Sequence, residues 1–220
     1  MIQRVYEQVR KSSAIHAVTV ATDNGEIFDH VKSFGGHATM TKESHPTGTD
    51  RCYEAFTLMN EPFDYVINIQ GDEPFIQPDQ IDLLASLLNG DTEIATLVKK
   101  IEKEEELLSD GEVKVVMDKN KNALYFSRAV IPRLRNVAKK DWFSSHPFYK
   151  HIGLYAFRSD ILKAVTSLPV STLETAESLE QLRWMENGYR IALAETETES
   201  MCIETPEDLD RAIAYLKLLS

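Results

Sequence analysis

Two short apolar runs, each followed by a polar loop and then by a helical pattern, constrain the fold of this sequence most strongly. The runs are Ala17–Ala21 and Tyr65–Ile69, and β-branched residues are frequent in both. Such runs are typical of strands that are buried on both faces of a parallel sheet. Helical spacing of apolar residues resumes at 25–34 and at 78–88. The repeated order of strand, loop and helix predicts an α/β protein with a doubly wound, mostly parallel sheet.

The rest of the pattern adds further elements and one departure from parallel order. Apolar residues at spacings of three and four predict an amphipathic helix at 2–9. Strands are predicted at 94–98, 113–117, 123–126, 152–157 and 191–194, and helices at 174–187 and 205–218. The strands between 113 and 157 predict a small antiparallel excursion of the sheet. Neither a repeat nor a linker is found, so we expect a single domain over residues 1–220.

Composition argues against several classes of protein. The 35 acidic residues exceed the 24 lysines and arginines, which gives a formal charge of −11 and disfavours a nucleic-acid partner. No apolar stretch is long enough to span a membrane or to act as an export signal. Cys52 and Cys202 lack zinc-site spacing, so we interpret both as reduced packing residues. We therefore expect a cytoplasmic protein that binds neither nucleic acid nor membrane.

An acidic residue follows the second apolar run, in the loop 70–74. Ligands of open α/β sheets bind beyond the carboxyl ends of the strands, and Asp72 follows such an end. Mg²⁺ prefers one or two carboxylates together with phosphate oxygens. Asp72 is therefore a candidate metal ligand, although a helix cap or a solvated loop acid would have the same pattern.

The segment 45–51, HPTGTDR, combines small hydroxyl residues, a glycine and an arginine ahead of a helical run near Cys52. Backbone amides at the start of a helix suit a base edge or a phosphate, and Arg51 would add charge-assisted hydrogen bonds. The alternative is an ordinary helix cap.

Basic residues cluster around Ile131-Pro132 in this acidic chain. They are Arg128, Arg133 and Arg135, and His151 follows at the entry of a predicted strand. A guanidinium group holds a carboxylate with two parallel hydrogen bonds, so the cluster suits an anionic substrate. Surface arginines are common, and a histidine beside an apolar strand is usually structural.

Two further sets of mostly acidic residues indicate a function less specifically. Four side chains are spaced to share one predicted helical face, which by itself is a solvated face: Glu174, Glu177, Glu180 and Gln181. Glu204 precedes a predicted helix start, where Thr205 is the N-cap and Asp208 completes a capping box. An exposed acid is the alternative there.

Seven segments follow one another in the order seen in a known family. They are GTDR (48–51), NIQGDEP (68–74), VKVVMD (113–118), ALYFSRAVIP (123–132), HIGLYAFR (151–158), LEQLRWMENGYRI (179–191) and ETPEDLDRA (204–212). Over nearly the full chain they resemble the 3-deoxy-manno-octulosonate (KDO) cytidylyltransferase family, and the pairing of QGDEP with ALYFSRxxIP is the specific part. The resemblance implies a Rossmann-like nucleotidyltransferase fold, usually a homodimer. It also implies a reaction of CTP with KDO that yields CMP-KDO and pyrophosphate, with Mg²⁺, for lipopolysaccharide assembly.

The resemblance further implies a role for each candidate residue. Asp72 and Glu204 would be the catalytic metal ligands. The cytidine would be met by Gln70 and by Thr47, Gly48, Thr49 and Arg51. The sugar acid would be met by Arg135, His151, Glu177 and Gln181, with Tyr155 as a further candidate.

Two departures from the family pattern affect these expectations. Glu204 stands where the family usually has aspartate, so we expect metal to bind there with a shifted geometry. The family's first strand and phosphate loop, similar to IIPARYxSTRLPGKPL, does not precede Met1, so we expect the natural chain to be longer. Two alternatives stay open: an inactive homologue that keeps a dimer surface or binds a sugar acid, and a cytidylyltransferase for a related sugar acid.

Overall fold

The structure is a computed structural model that describes residues 1–199, 203 and 205–219. The chain divides into two compact units. The first comprises Met1–Pro62, Asn68–Ala85 and Thr198–Ser220, and the second comprises Phe63–Ile67 and Ser86–Glu197. The single domain stays a prediction.

The described chain contains both helices and strands. Their order is α1 (Ile2–Val9), β1 (Val20–Thr22), α2 (Gly25–Ser33), β2 (Ala38–Met40), α3 (Gly48–Met59), β3 (Tyr65–Asn68), α4 (Pro78–Ala85), β4 (Ile94–Lys100), α5 (Glu104–Leu108), β5 (Lys114–Met117), β6 (Ala123–Ser127), α6 (Trp142–Ser145), β7 (Tyr149–Arg158), α7 (Ser159–Val165), α8 (Thr172–Glu177), α9 (Glu180–Glu186), β8 (Ile191–Glu195) and α10 (Pro206–Leu219). This order confirms the predicted α/β class. Among the described residues, no helix is both long and apolar enough to cross a membrane.

In the first unit, β1 and β2 pair in parallel, from Val20 opposite Ala38 to Thr22 opposite Met40. The sequence pattern placed the start of β1 at Ala17, which is wrong because only Val20–Thr22 pair with β2 in the strand register. The amphipathic helix α1 is confirmed. Its Tyr6 is buried against Phe34, with the ring centroids 5.6 Å apart.

In the second unit, the sheet has the order β6-β5-β7-β4-β8, and β3 pairs with β7. β4 pairs in parallel with β8 and antiparallel with β7, and β5 pairs antiparallel with both β6 and β7. The predicted antiparallel excursion is therefore present, and it accounts for much of this sheet. Residues 94–99 of β4 are all buried, so the core of the unit lies along this strand.

β3 differs from its prediction as a buried strand. All four of its residues are half-buried, and among the described strands β7 is its partner. A strand that is covered by neighbours on both edges and both faces loses more exposure than a strand with one described neighbour. The apolar run thus predicted the strand correctly but overestimated its burial.

Three lysines lie in one row across the second unit's sheet. Lys150 is opposite both Lys99 and Lys114 in the strand register, and each lysine is at most 4% exposed. Their ammonium groups form ion pairs with glutamates and donate hydrogen bonds to carbonyls of the segment 102–112. Buried charges require such partners, so the acidic segment is tied to this face of the sheet.

The predicted helix at 174–187 is two helices, α8 and α9. Ser178 separates them, and its φ of 54° lies in the left-handed region that ends helices. The expectation of one shared helical face is therefore wrong. Glu174 instead completes a capping box with Ser171 and forms an ion pair with the buried Arg183.

Candidate active site

Residues 48–51 of the segment 45–51 form the first turn of α3, and residues 45–47 precede the helix. Thr47 is the N-cap, and its Oγ1 accepts a hydrogen bond from the Asp50 amide at 3.2 Å. Gly48 and Thr49 therefore begin the first turn, well before Cys52. The sequence pattern placed the helix start near Cys52 because the first turn is polar and spacing of apolar residues does not reveal it. Burial raises the pKa of the Cys52 thiol to about 12, so this thiol stays protonated.

Gly48 and Gln70 come together from separate segments of the first unit. A Cβ at position 48 would lie 3.2 Å from Nε2 of Gln70 and 3.4 Å from its Oε1. Both residues are exposed, and the Gln70 amide forms no hydrogen bond with another described residue. The glycine thus allows an amide that can both donate and accept hydrogen bonds to lie against the start of α3.

Arg51 is held by its own unit. Its Nη2 lies 2.6 Å from Oδ2 of Asp23, and its Nη1 donates to Oγ1 of Thr41 at 2.7 Å and to the Lys42 carbonyl at 3.3 Å. Asp23 follows β1 and Thr41 follows β2, so the guanidinium group connects the ends of both strands to α3. These contacts give Arg51 a structural role, and its contact with the nucleotide stays a prediction.

Asp72 lies in the loop after β3, as predicted. Its carbonyl accepts a hydrogen bond from the Ile203 amide at 2.9 Å, which attaches this loop to the segment before α10. Its Oδ1 is sealed from solvent and has no hydrogen-bond partner among the described residues. A sealed carboxylate oxygen without a donor is costly, and a bound cation would offset that cost. The described residues contain no cluster of three or more His, Cys, Asp or Glu side chains that could hold a metal.

Glu204 lies outside the described residues, so its predicted part in the metal site stays a prediction. The helix start beside it is described. The Thr205 amide donates to Oδ2 of Asp208 at 2.9 Å, and the Asp208 amide donates to Oγ1 of Thr205 at 3.2 Å. The predicted capping box at the start of α10 is confirmed.

His151 lies in β7 of the second unit, where its Nε2 is 2.9 Å from Oγ1 of the buried Thr96. Its ring packs edge-on against Phe126, with the centroids 5.5 Å apart, and lies 4.9 Å from the ring of Tyr155. Burial of the ring among these groups disfavours its charged form and lowers the pKa of His151 to about 3. The imidazole is therefore neutral at physiological pH.

Tyr155 lies beside His151 with its hydroxyl sealed from solvent and without a partner among the described residues. Burial raises the pKa of this hydroxyl well above 10, so it keeps its proton. The ring packs edge-on against Trp184, whose Nε1 also lacks a described partner. Two unpaired polar atoms in an aromatic cluster are uncommon in a folded core, which distinguishes this part of the unit.

Glu177 is committed to hydrogen bonds within the second unit. Its Oε1 accepts from Oγ of Ser127 at 2.7 Å, and its Oε2 accepts from the Arg128 amide at 3.0 Å. The Arg128 guanidinium donates in turn to the Glu177 carbonyl at 3.1 Å. The carboxylate therefore fixes the end of α8 against the end of β6.

Gln181 and Arg135 have uncommitted polar groups. Gln181 lies on α9 and is 6% exposed, yet its amide forms no hydrogen bond with another described residue. Arg135 is exposed in the loop after β6, and no described residue forms an ion pair with it. The roles of both residues toward the sugar acid stay predictions.

Two residues of these sites were missed in the sequence. Asp23 follows a strand in the same way as Asp72, so the rule that identified Asp72 applies to it as well. Thr96 is a polar residue within an apolar strand, a pattern that signals a specific hydrogen bond.

A sequence model of the family described as "Cytidylyltransferase" matches residues 1–192, most of the chain. The chain belongs to this family.

Three curated relatives of this chain have the same name. The protein of Cytophaga hutchinsonii is 56% identical over 96% of this chain and 85% of its own length. Those of Parabacteroides distasonis and Phocaeicola vulgatus are 51% and 53% identical over 98% and 99% of this chain, and 87% of each relative is covered. All three are named 3-deoxy-manno-octulosonate cytidylyltransferase.

Two solved structures are similar to this chain in fold. A structure of CMP:2-keto-3-deoxy-manno-octonic acid synthetase complexed with CTP is 36% identical, covers 100% of this chain and 88% of its own, and superposes with a TM-score of 0.91. The chain therefore has the Rossmann-like nucleotidyltransferase fold that was predicted. The 4-diphosphocytidyl-2C-methyl-D-erythritol synthase of Anaerococcus prevotii has a TM-score of 0.58 at 14% identity, over 98% of this chain and 89% of its own, which supports the fold alone.

Proposed function

We propose that this chain transfers the cytidylyl group of CTP to 3-deoxy-manno-octulosonate. The anomeric hydroxyl attacks the α-phosphorus and loses its proton to solvent, a new P–O bond forms, and pyrophosphate leaves with the electrons of the broken P–O bond. The observation that carries the proposal is sequence identity above 50% to relatives with this name over nearly the whole chain.

The nucleotide is assigned to the first unit. Gln70 offers an exposed amide beside Gly48, and this donor and acceptor pair suits the edge of a cytosine. Thr47 and Thr49 shape the first turn of α3, where backbone N–H groups favour anions. Arg51 places a positive charge at the same turn. These residues bind and orient CTP and form no covalent bond to it.

Mg²⁺ is the proposed cofactor, and Asp72 is its proposed ligand. The unpaired, sealed Oδ1 of Asp72 fits a cation better than it fits solvent. Glu204 is proposed as the second ligand by resemblance. When bound, Mg²⁺ neutralises charge on the phosphates.

The sugar acid is assigned to the second unit. Arg135 suits the substrate carboxylate because a guanidinium group can donate two parallel hydrogen bonds. Gln181 and His151 offer neutral polar groups, and the protonated Tyr155 is a donor. Glu177 is assigned to holding the loop that follows β6 in place beside this substrate.

Three further properties are part of the proposal through the resemblance. The product supplies lipopolysaccharide assembly, the protein acts in the cytoplasm, and it works as a homodimer. Sedimentation of the purified protein would measure the last of these directly.

The test is release of pyrophosphate from CTP. Two polypeptides are assayed: the chain that begins at Met1, and the same chain preceded by the family's phosphate-binding segment. We expect release from at least one of them, only when CTP, KDO and Mg²⁺ are all present. Asp72→Asn should abolish it, whereas Asp91→Asn, an exposed site with the same charge change, should not.

The alternatives give different results in the same experiment. Calorimetric binding of KDO without turnover by either folded polypeptide would support an inactive homologue that binds a sugar acid. Faster turnover with an aminated KDO or a sialic acid would reassign the substrate. Full turnover by a folded Asp72→Asn variant would overturn the proposed chemistry.

A further inference from the structure

Thr96 has one hydroxyl proton and three neighbours that are within hydrogen-bonding distance. The carbonyl of Leu154 lies 2.6 Å from its Oγ1, the carbonyl of Ile152 lies at 3.2 Å, and Nε2 of His151 lies at 2.9 Å. A carbonyl oxygen only accepts hydrogen bonds. The short contact with Leu154 therefore takes the hydroxyl proton.

The hydrogen bond between Thr96 and His151 then has only one possible donor. Because the hydroxyl proton is given to a carbonyl, Oγ1 is left as an acceptor toward His151. The Nε2 atom must carry a proton in order to donate to it. In a neutral imidazole this leaves Nδ1 unprotonated, as an acceptor.

An irregularity of the sheet makes this arrangement possible. Thr96 is opposite Tyr155, but the next residue, Leu97, is opposite Ile152. The register shift inserts extra residues into β7 at this point, which is the pattern of a β-bulge. It brings two main-chain carbonyls to one side chain, so that a fully buried threonine has acceptors other than the histidine.

The Nδ1 atom of His151 faces a different environment. It forms no hydrogen bond with a described residue, and it is not among the unpartnered polar atoms that are sealed from solvent, whereas the Tyr155 hydroxyl is. The described ring contacts of His151 are Phe126 and Tyr155, which carry no charge. An acceptor that has no described partner and lies in a neutral environment suits a hydroxyl group of a ligand and does not suit a carboxylate.

We propose that Thr96 is a positioning residue that holds His151 as the neutral tautomer protonated at Nε2, so that Nδ1 accepts a hydrogen bond from a hydroxyl of the sugar acid. The assignment of the ligand rests on the proposed function, while the tautomer does not. The lowered pKa of His151 agrees with this assignment, since burial disfavours the charged ring. His151 thus recognises a hydroxyl of the substrate and does not act as a cation toward its carboxylate.

The tautomer is measured by nitrogen NMR of the chain labelled with ¹⁵N-histidine, with the His151→Gln spectrum used to assign the His151 signals. We expect a protonated Nε2 and an unprotonated Nδ1 at neutral pH. Thr96→Val, which keeps the shape and removes the acceptor, should yield a mixture of tautomers, and Thr96→Ser should restore the wild-type signals. Nδ1 protonation in the wild type, or an unchanged tautomer in a folded Thr96→Val chain, would overturn the proposal.

Binding of the ligand is tested separately by calorimetry. Thr96→Val should weaken KDO binding about tenfold, the effect of one positioned hydrogen bond, and leave CTP binding unchanged, while Thr96→Ser should stay within about threefold of wild type. Unchanged KDO affinity in a Thr96→Val chain with a mixed tautomer would overturn the role of Nδ1. If wild type shows the expected tautomer and does not bind KDO, the proposed function fails and the tautomer assignment stands. If Thr96→Val does not fold, the wild-type signals still decide the tautomer.

Discussion

At the scale of single residues, the unpaired polar atoms are the informative feature. Asp72, Tyr155 and Trp184 each have a sealed polar atom without a described partner, whereas the buried lysines of the sheet are all paired. Folded proteins pair most of their buried polar groups. Unpaired groups of this kind therefore indicate where a ligand completes the structure.

Asp72→Asn should stabilise the protein in the absence of ligands while abolishing turnover. The substitution removes a carboxylate charge whose Oδ1 has no described donor, and leaving such a group unpaired costs about 1–3 kcal/mol. Urea unfolding without Mg²⁺ or CTP would measure a gain of up to about 1 kcal/mol. The control Asp91→Asn should leave the free energy of unfolding unchanged, and a loss of stability in Asp72→Asn would contradict the argument.

His151 should make the protein less stable in acid. Its pKa in the folded chain is about 3, below the ordinary value of about 6.5 in an unfolded chain. The unfolded state therefore binds a proton first as the pH falls, and the stability that His151 contributes above about pH 6.5 is lost progressively between about 6.5 and 3. Urea midpoints of wild type and His151→Gln should diverge less at pH 5 than at pH 7. The exposed His16 provides the control His16→Gln, which should follow wild type at both pH values.

At the scale of elements, the break between α8 and α9 decides where Glu177 and Gln181 lie. The break depends on Ser178, an exposed residue with a φ of 54°. Glu177 ends one helix and contacts the loop after β6, while Gln181 lies in the buried first turn of the next helix. A continuous helix would place both side chains on neighbouring positions of one face.

Ser178→Val should destabilise the protein by about 1–2 kcal/mol, because β-branched residues tolerate the left-handed region poorly. Ser178→Gly should leave stability nearly unchanged, since glycine adopts this conformation without strain. Thermal unfolding of both variants measures the difference. Since the side chain is exposed, packing does not confuse the comparison, and equal stability of the two variants would show that the left-handed residue is not required.

At the scale of the whole molecule, an acidic protein is proposed to bind two anionic substrates. The formal charge of −11 opposes both, so the proposed binding would depend on local groups such as Arg51, Arg135 and the Mg²⁺ proposed at Asp72. This overall charge also disfavours nucleic acid, which requires a broad basic surface.

CTP with Mg²⁺, and KDO added separately, should each raise the unfolding temperature, because a ligand that binds only the folded state stabilises it. At a concentration of 100 times Kd the gain is about 2.7 kcal/mol. Thermal melts with each ligand, and with ATP in place of CTP, measure this gain. A shift with ATP as large as that with CTP would contradict the assignment of Gln70 and Gly48 to the cytosine edge.

Local patterns in the sequence determined the α/β class, most of the strands, the helix α1 and the cap of α10, because apolar periodicity and capping act over a few residues. They also placed Asp72 in the loop after β3, since the end of a strand is visible in sequence, while its role as a metal ligand stays a prediction. Contacts between distant segments were decided only by the tertiary structure. Burial of Lys99, Lys114 and Lys150 depends on strand register, and the hydrogen bonds of Thr96 depend on a bulge. The approach of Gly48 to Gln70 depends on how α3 packs against the loop after β3. All three arise from contacts between segments distant in sequence, which no local pattern records.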